Sequence, residues 1–465
     1  LLILVKNMPE ASQIIQECDK ELTNTVESLF TFLGIQSIST LPEKTNEIEK
    51  AANFLNDYFS SKLGFTSRIV RFPDANPIVL AEYKTAKAKS TITFYGHYDV
   101  QPVDMSQPWV IKDPFDPQII NDNIIARGAS DDKGQLWALI RGVEIAKAIE
   151  PNLPYNIRFL IEGEEECAGD GLARFINDNK DELSSDFVFV SDSTFFKQGI
   201  PALVTGLRGL LYTEVTVQGA QTDLHSGEFG GVAPNAIHGL VWILAKLKTR
   251  TGHITIPRFY DDVVDPTEKE KEDWHKLPFD TESFISEIMK ADTDEGDQNF
   301  DLLTRKWARP TLDINGIYGG FTDTGVKTVI PAKATAKVSM RLVPNQNPSK
   351  IYQAFRHAVH SLCPPGYKVQ VKHLSSADPV IIDTSNWLAQ KVNNLFLQLW
   401  GHPCVHIRMG GTIPVVSSLK QLSQNIVVTG FGLPDDNFHA ANEKFSLNQL
   451  NQAVKLIALL VSDSG

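Results

Sequence analysis

The run Ile157-Arg-Phe-Leu-Ile-Glu-Gly163-Glu164-Glu165-Glu166 ends an apolar stretch on a glycine and then presents three consecutive carboxylates. Other segments carry groups able to act with it. Tyr95-Gly-His97-Tyr-Asp99 has the spacing at which an acid holds one imidazole nitrogen while the other nitrogen binds a metal. Gly128-Ala-Ser-Asp131-Asp132-Lys133-Gly134 sets two acids at a strand-to-helix junction, where helix amides favour anions. Val190-Ser191-Asp192 puts another acid just past an apolar run, and Asp435-Asp-Asn-Phe-His439-Ala-Ala-Asn-Glu443 offers a histidine in a polar loop. Taken singly, a glutamate triplet reads as a solvated loop, a lone histidine as a core or surface residue, and Asp131 as a helix cap. Together, two histidines and several carboxylates at strand ends form a donor set for two divalent cations of hard to borderline character. His-Glu-x-x-His, Gly-x-Ser-x-Gly and a Walker loop are absent from the sequence.

The elements that must position these groups read as an alternating α/β chain. Apolar residues at helical spacing predict helices over 9–33 and 46–63. Strand-like runs at 67–70, 78–81, 91–95 and 119–126 precede a helix over 134–148, and strands at 156–162 and 187–190 continue the alternation. Ligands of open α/β sheets sit beyond the carboxyl ends of the strands, which is where the acids fall. After Gly206-Leu-Arg-Gly209 the texture changes: 210–217 alternates like a half-exposed strand, a helix fits 236–247, and a charged stretch runs through 257–301. Strands at 334–342 and 368–372 flank a helix at 349–362, after which the first pattern returns with 388–400, 426–428 and 447–461. The expected architecture is α/β: a catalytic domain built on a helix-covered mixed sheet from 1–207 and 375–465, interrupted by a smaller α+β domain at 208–374.

At 465 residues the chain exceeds one ordinary core, so two or three domains are expected. Hydrophobic content of 42% with 22% charged residues fits a globular protein, and no apolar run approaches the roughly 20 residues that span a bilayer. A formal charge of -12 disfavours nucleic acid as a partner. Cys18, Cys167, Cys363 and Cys404 lie far apart with no Cys-x-x-Cys pair, which reads as reduced thiols in a cytoplasmic protein. Cys167, next to Glu166, reads as a small buried filler. Residues 1–5 are apolar but shorter than a signal-peptide core, and Met8 offers an alternative start.

On these motifs the chain resembles the two-zinc exopeptidase family of carnosinase, cytosolic nonspecific dipeptidase, succinyl-diaminopimelate desuccinylase and glutamate carboxypeptidase. The likeness runs through Gly96-His97-Tyr-Asp99-Val-Gln101-Pro102, Gly128 to Gly134, Glu162 to Glu166, Ser191-Asp192 and His439, in order along nearly the whole chain. It implies two divalent ions per subunit, zinc or alternatively manganese. His97, Asp131 and Asp192 would hold one ion and Asp131, Glu166 and His439 the other, with Asp131 bridging. It further implies that Glu165 is the general base, that Asp99 orients His97, and that a cis peptide joins Asp131 to Asp132.

The inserted segment resembles the dipeptidase branch in Asp223-Leu-His225-Ser-Gly227, Lys327-Thr328-Val-Ile-Pro331 and Arg341-Leu-Val-Pro344-Asn345. Read alone, His225 belongs to a capped turn and Arg341 to a surface salt bridge. The resemblance implies instead a homodimer through the inserted domain, in which His225 reaches the other copy's active site to polarise the scissile carbonyl and Thr328 assists. It also implies that Arg341 binds the substrate carboxylate and that Gly410-Gly411-Thr412 is a substrate-binding loop, contributing Gly411 and Thr412. One departure lies near Asn386, where animal dipeptidases commonly carry a pocket histidine, so the preferred side chains stay open.

The expected reaction is hydrolysis of a small dipeptide by water activated between the two ions, with Glu165 taking its proton and returning it to the leaving amine. The same centre equally serves an N-acyl amino acid deacylase or desuccinylase. A non-catalytic binding protein of this fold is a third reading, against which the complete donor set and Glu165 stand. Histidine and carboxylate donors suit zinc and manganese alike.

Overall fold

A computed structural model of the protein describes residues 8–462, so the reading of residues 1–7 lies outside the described residues. The described chain divides into two compact units, one of 8–205, 382–407 and 418–462, the other of 206–381 and 408–417.

The first unit holds a six-stranded sheet in the order Thr66–Phe72, Ala75–Tyr83, Tyr155–Glu162, Ser90–His97, Phe187–Ser191, Ile426–Thr429. The first two pairings are antiparallel and the other three parallel, so the sheet is mixed. Strands covered by helices on both faces must be apolar on both, and Tyr155–Glu162 is buried at every position but Asn156. Helix Lys133–Ile149 follows the same rule, being buried along most of its length and packed against Leu447–Ser462. The two helices pass so closely at Gly142 that a Cβ there would lie 2.6 Å from Ile457 Cβ.

Two elements differ from the periodicity of the sequence. The 9–33 pattern resolves into Met8–Lys20 and Leu22–Leu33, which meet at Glu21. The apolar run at 119–126, read as one strand, is a hairpin of Gln118–Ile120 and Asn123–Ile125. It turns on Asn121 and Asp122, whose φ angles of 50° and 59° lie in the left-handed region that short polar side chains tolerate. A third strand, Lys444–Ser446, pairs with Asn123–Ile125 and so draws the polar loop 435–443 beside 126–131.

The second unit is an antiparallel sheet in the order Thr311–Gly319, Lys333–Leu342, Gly209–Gln218, Lys368–Ala377. Gly209–Gln218 alternates buried and half-buried positions, the signature of a sheet covered on one face. Leu211, Val215, Val217, Val338 and Met340 form that inner face. They pack with Leu240 and Ile243 of helix Ala236–Leu244 and with Phe355 and Val359 of helix Pro348–Leu362. The chain is thus mixed α/β, a helix-covered sheet plus a smaller α+β layer.

Candidate metal centre

Three parallel strands of the first unit end at one edge. Register pairs His97 with Glu162 and Tyr95 with Val190, so His97, the acids after Glu162, and Asp192 emerge together. Gly163 is required there, because a Cβ would lie 2.2 Å from Cζ of the buried Tyr98, whose hydroxyl donates to Pro77 O at 2.6 Å. The variant Gly163→Ala must push that ring or the following loop aside. It is expected to lose about 1–3 kcal/mol of stability, read as a lower thermal midpoint, with activity falling as residues 164–166 shift.

The three acids after Gly163 have three fates, and none is a solvated loop residue. Glu164 is buried and turned into the fold, accepting from the amides of Gly171 at 2.6 Å and Asn76 at 2.8 Å. Glu166 turns the other way: its Oε2 lies 3.2 Å from His439 Nε2 and accepts from Gln101 Nε2 at 2.8 Å. Glu165 interacts electrostatically with His97, Asp192, Glu166 and Asp131, yet among the described residues its carboxylate has no hydrogen-bond partner. Cys167, expected as a buried filler, is instead exposed, with Sγ 3.4 Å from Glu164 O.

Asp131 stands between two imidazoles, its Oδ1 3.2 Å from His97 Nε2 and its Oδ2 2.8 Å from His439 Nε2. It is joined to Asp132 by a cis peptide. Neither acid caps the helix that follows. Asp132 occupies the N-cap position without a capping bond, and its Oδ2 accepts from the His97 amide at 3.2 Å. Asp99, fully buried, lies behind His97: the ring Nδ1 is 3.1 Å from Asp99 O and 3.4 Å from its Oδ1. The same carboxylate accepts from the amides of Glu165 and Glu166 at 3.3 and 3.0 Å, tying the histidine to the acid triplet.

Two groups of donors result, His97 with Asp131 and Asp192, and Asp131 with Glu166 and His439; within each, one donor atom per residue lies within 4.8 Å of the others. Burial pushes the Asp192 carboxyl up to about 7 against the pull of His97, and holds Glu165 well above the usual carboxylate range. Hydrogen bonding to Asp131 and Glu166 raises His439 to about 10. Burial disfavours charge on His97, but Asp131 and Asp99 outweigh it and raise the ring. The centre gathers more negative charge than two imidazoles balance, which is the electrostatics of a site for divalent cations. Its donors are all imidazole nitrogen and carboxylate oxygen, and Glu166 Oε1 is buried with no hydrogen-bond partner, so the residues present fit such ions.

His225, Thr328, Arg341, Gly411 and Thr412 lie on the second unit. His225 and Thr328 are neighbours, since His225 pairs with Val329 across a short ladder and the Ser226 amide donates to Thr328 O at 3.0 Å. Both are exposed. His225 Nδ1 accepts from the Gly227 amide at 3.0 Å, which leaves the proton of the neutral ring on Nε2. Arg341 donates from Nη1 to Thr412 Oγ1 at 2.8 Å, and Thr412 Oγ1 donates to Arg208 O at 2.5 Å, so Arg341 and the Gly411-Thr412 loop come together. Arg208, read in the sequence only as part of a boundary, holds the same loop by donating Nε to Gly410 O at 2.9 Å. Asn386, in the first unit, is committed to capping helix Trp387–Trp400, its Oδ1 accepting from the Ala389 amide at 3.0 Å. Glu443, not singled out in the sequence, is buried against the segment bearing Asp131, and an acid in a polar loop carries no sequence sign of burial.

Paired cation donors at the strand ends of a helix-covered sheet, with an uncommitted acid beside them, define a metal-dependent hydrolase. Residues 93–463 match the family model described as peptidase family M20/M25/M40, and the chain belongs to that family. It is 35% identical over 394 residues to human Beta-Ala-His dipeptidase, covering 82% of this chain and 76% of that protein. Cys-Gly metallodipeptidase dug1 of Schizosaccharomyces pombe is 30% identical over 97% of this chain and 98% of its own. Among solved structures, human carnosine dipeptidase 1 is similar with a TM-score of 0.84 at 29% identity, covering 97% of this chain and 98% of that one.

Proposed function

We propose that the chain hydrolyses dipeptides at a centre for two divalent ions per subunit, zinc or manganese. The observation that carries this reading is the pair of donor groups sharing Asp131, with Glu165 left free of both. His97, Asp131 and Asp192 would hold one ion, and Asp131, Glu166 and His439 the other. Ions bound there supply Lewis-acid polarisation of the scissile carbonyl and lower the pKa of water toward neutrality. Glu165 takes the proton of the attacking water and delivers it to the leaving amine. Asp99 accepts from His97 Nδ1, which holds the proton of the neutral ring there and leaves the Nε2 lone pair for an ion. Arg341, Gly411 and Thr412 bind the free carboxylate of the substrate. His225, with its proton on Nε2, donates to the carbonyl oxygen, supported by Thr328.

Dipeptides are favoured over N-acyl amino acids because the relatives named above are dipeptidases, of Beta-Ala-His and Cys-Gly. A panel of dipeptides against N-acetyl and N-succinyl amino acids, run with zinc and with manganese, tests the choice. The highest kcat/KM is expected on dipeptides, and clear preference for the acyl substrates overturns the reading in favour of a deacylase.

The second unit also suits a homodimer. Thr311–Gly319 is an edge strand exposing Ile314, Ile317 and Tyr318, and helix Ala236–Leu244 exposes Val241 and Trp242. A long apolar edge is one that proteins ordinarily cover. In such a dimer His225 would serve the active site of the other copy. Small-angle scattering is expected to give a dimer under assay conditions, and an active monomer excludes that role for His225. All four cysteines are free, which fits a cytoplasmic location.

A further inference from the structure

We infer that Glu443 is a positioning residue that preassembles the ion site of Asp131, Glu166 and His439, an inference resting on the ligand roles proposed above. Glu443 follows His439 by four positions and is fully buried. Its Oε2 accepts from Arg127 Nη1 at 2.7 Å and the Gly128 amide at 3.0 Å. Its Oε1 accepts from the amides of Ser130 at 2.9 Å and Asp131 at 3.0 Å. One carboxylate thus takes four donors from residues 127–131, the last of them the amide of the shared ligand itself.

The other end of the clamp is the loop carrying His439. Asn437, His439 and Asn442 all have left-handed φ, and such a loop keeps one shape only if its surroundings fix it. Lys444 N donates to Asp436 O at 3.0 Å and Asn437 Nδ2 to Asn442 O at 3.1 Å, closing the loop on itself. The Asp436 carboxylate then accepts from Ser130 Oγ at 3.1 Å, a second tie to the Asp131 segment. Segments 312 positions apart in sequence are therefore tied by hydrogen bonds in which no ion takes part. A carboxylate is needed because an amide side chain accepts through one oxygen only, and its NH2 would face two N–H donors. His97 and Asp192 belong to strand ends paired in the sheet and do not depend on this clamp. The effect of losing it falls on one ion site more than on the other.

The test is ion titration of wild type and Glu443→Gln against a competing chelator, with the thermal midpoint of each metal-free protein measured alongside. Wild type is expected to bind two ions, and the variant to hold one of them about 10- to 100-fold more weakly, with a smaller loss at the other, which shares Asp131. Equal affinities for both ions in variant and wild type, with only the metal-free midpoint lowered, overturn the positioning role and leave Glu443 structural. A wild type that binds no ion overturns the ligand assignment as well. Hydrogen exchange on metal-free wild type needs no variant to fold. Amides of 128–131 should already be protected without ions, and protection that appears only after loading also overturns the inference.

Discussion

Replacing Glu165 with alanine or glutamine lowers kcat by about 10²-fold or more, while the ion content and thermal midpoint stay near those of wild type. The split follows from what Glu165 does not do. It belongs to neither donor group, and its carboxylate makes no hydrogen bond among the described residues, so removing it strips no ligand and leaves no buried partner unsatisfied. Its tie to Asp99 runs through the backbone amide, which either substitution keeps. Glutamine is the sharper variant, because it preserves size and polarity and removes only the capacity to take a proton. Turnover at the wild-type rate in Glu165→Gln removes the residue from the mechanism. Loss of an ion together with activity makes it a ligand instead. Metal analysis beside steady-state kinetics separates the outcomes.

The Glu164–Glu166 run marks where reading residues in sequence stops. The apolar stretch before it, its glycine, and the placement of acids past strand ends follow from the period of the side chains and the demands of a covered sheet. Which acid turns inward does not, since it depends on amides from Asn76 and Gly171 that no local pattern places beside Glu164. The hairpin at 118–125 was hidden for a related reason. Apolar residues on both sides of Asn121-Asp122 imitate one continuous strand, and the second arm's further partner, Lys444–Ser446, lies more than 300 positions away. That same pairing delivers His439 and Glu443 to Asp131. The motifs could name His439 and Asp131 as candidates, whereas the buried contact between Glu443 and Asp131 is a property of the folded chain alone.

Asp131→Asn is expected to be the most damaging single change at the centre, because Asp131 is the residue common to both donor groups. An asparagine has one oxygen and one NH2 where the carboxylate offered an oxygen to each imidazole-bearing side, so it can serve at most one ion as a neutral donor. Both ions should weaken. Lewis-acid stabilisation of several kcal/mol corresponds to a loss in kcat/KM on the order of 10³-fold or more. Asp192→Asn and His439→Ala provide the comparison, since each touches one group and should leave the other ion bound. Groups that act as a unit give non-additive losses, so the double variant of Asp192 and His439 should be about as inactive as Asp131→Asn alone. Metal content per subunit, measured for all four proteins with their kcat/KM, decides the matter. An Asp131→Asn protein that retains two ions at wild-type affinity means the two groups do not share this carboxylate, and the paired centre then dissolves into two separate clusters.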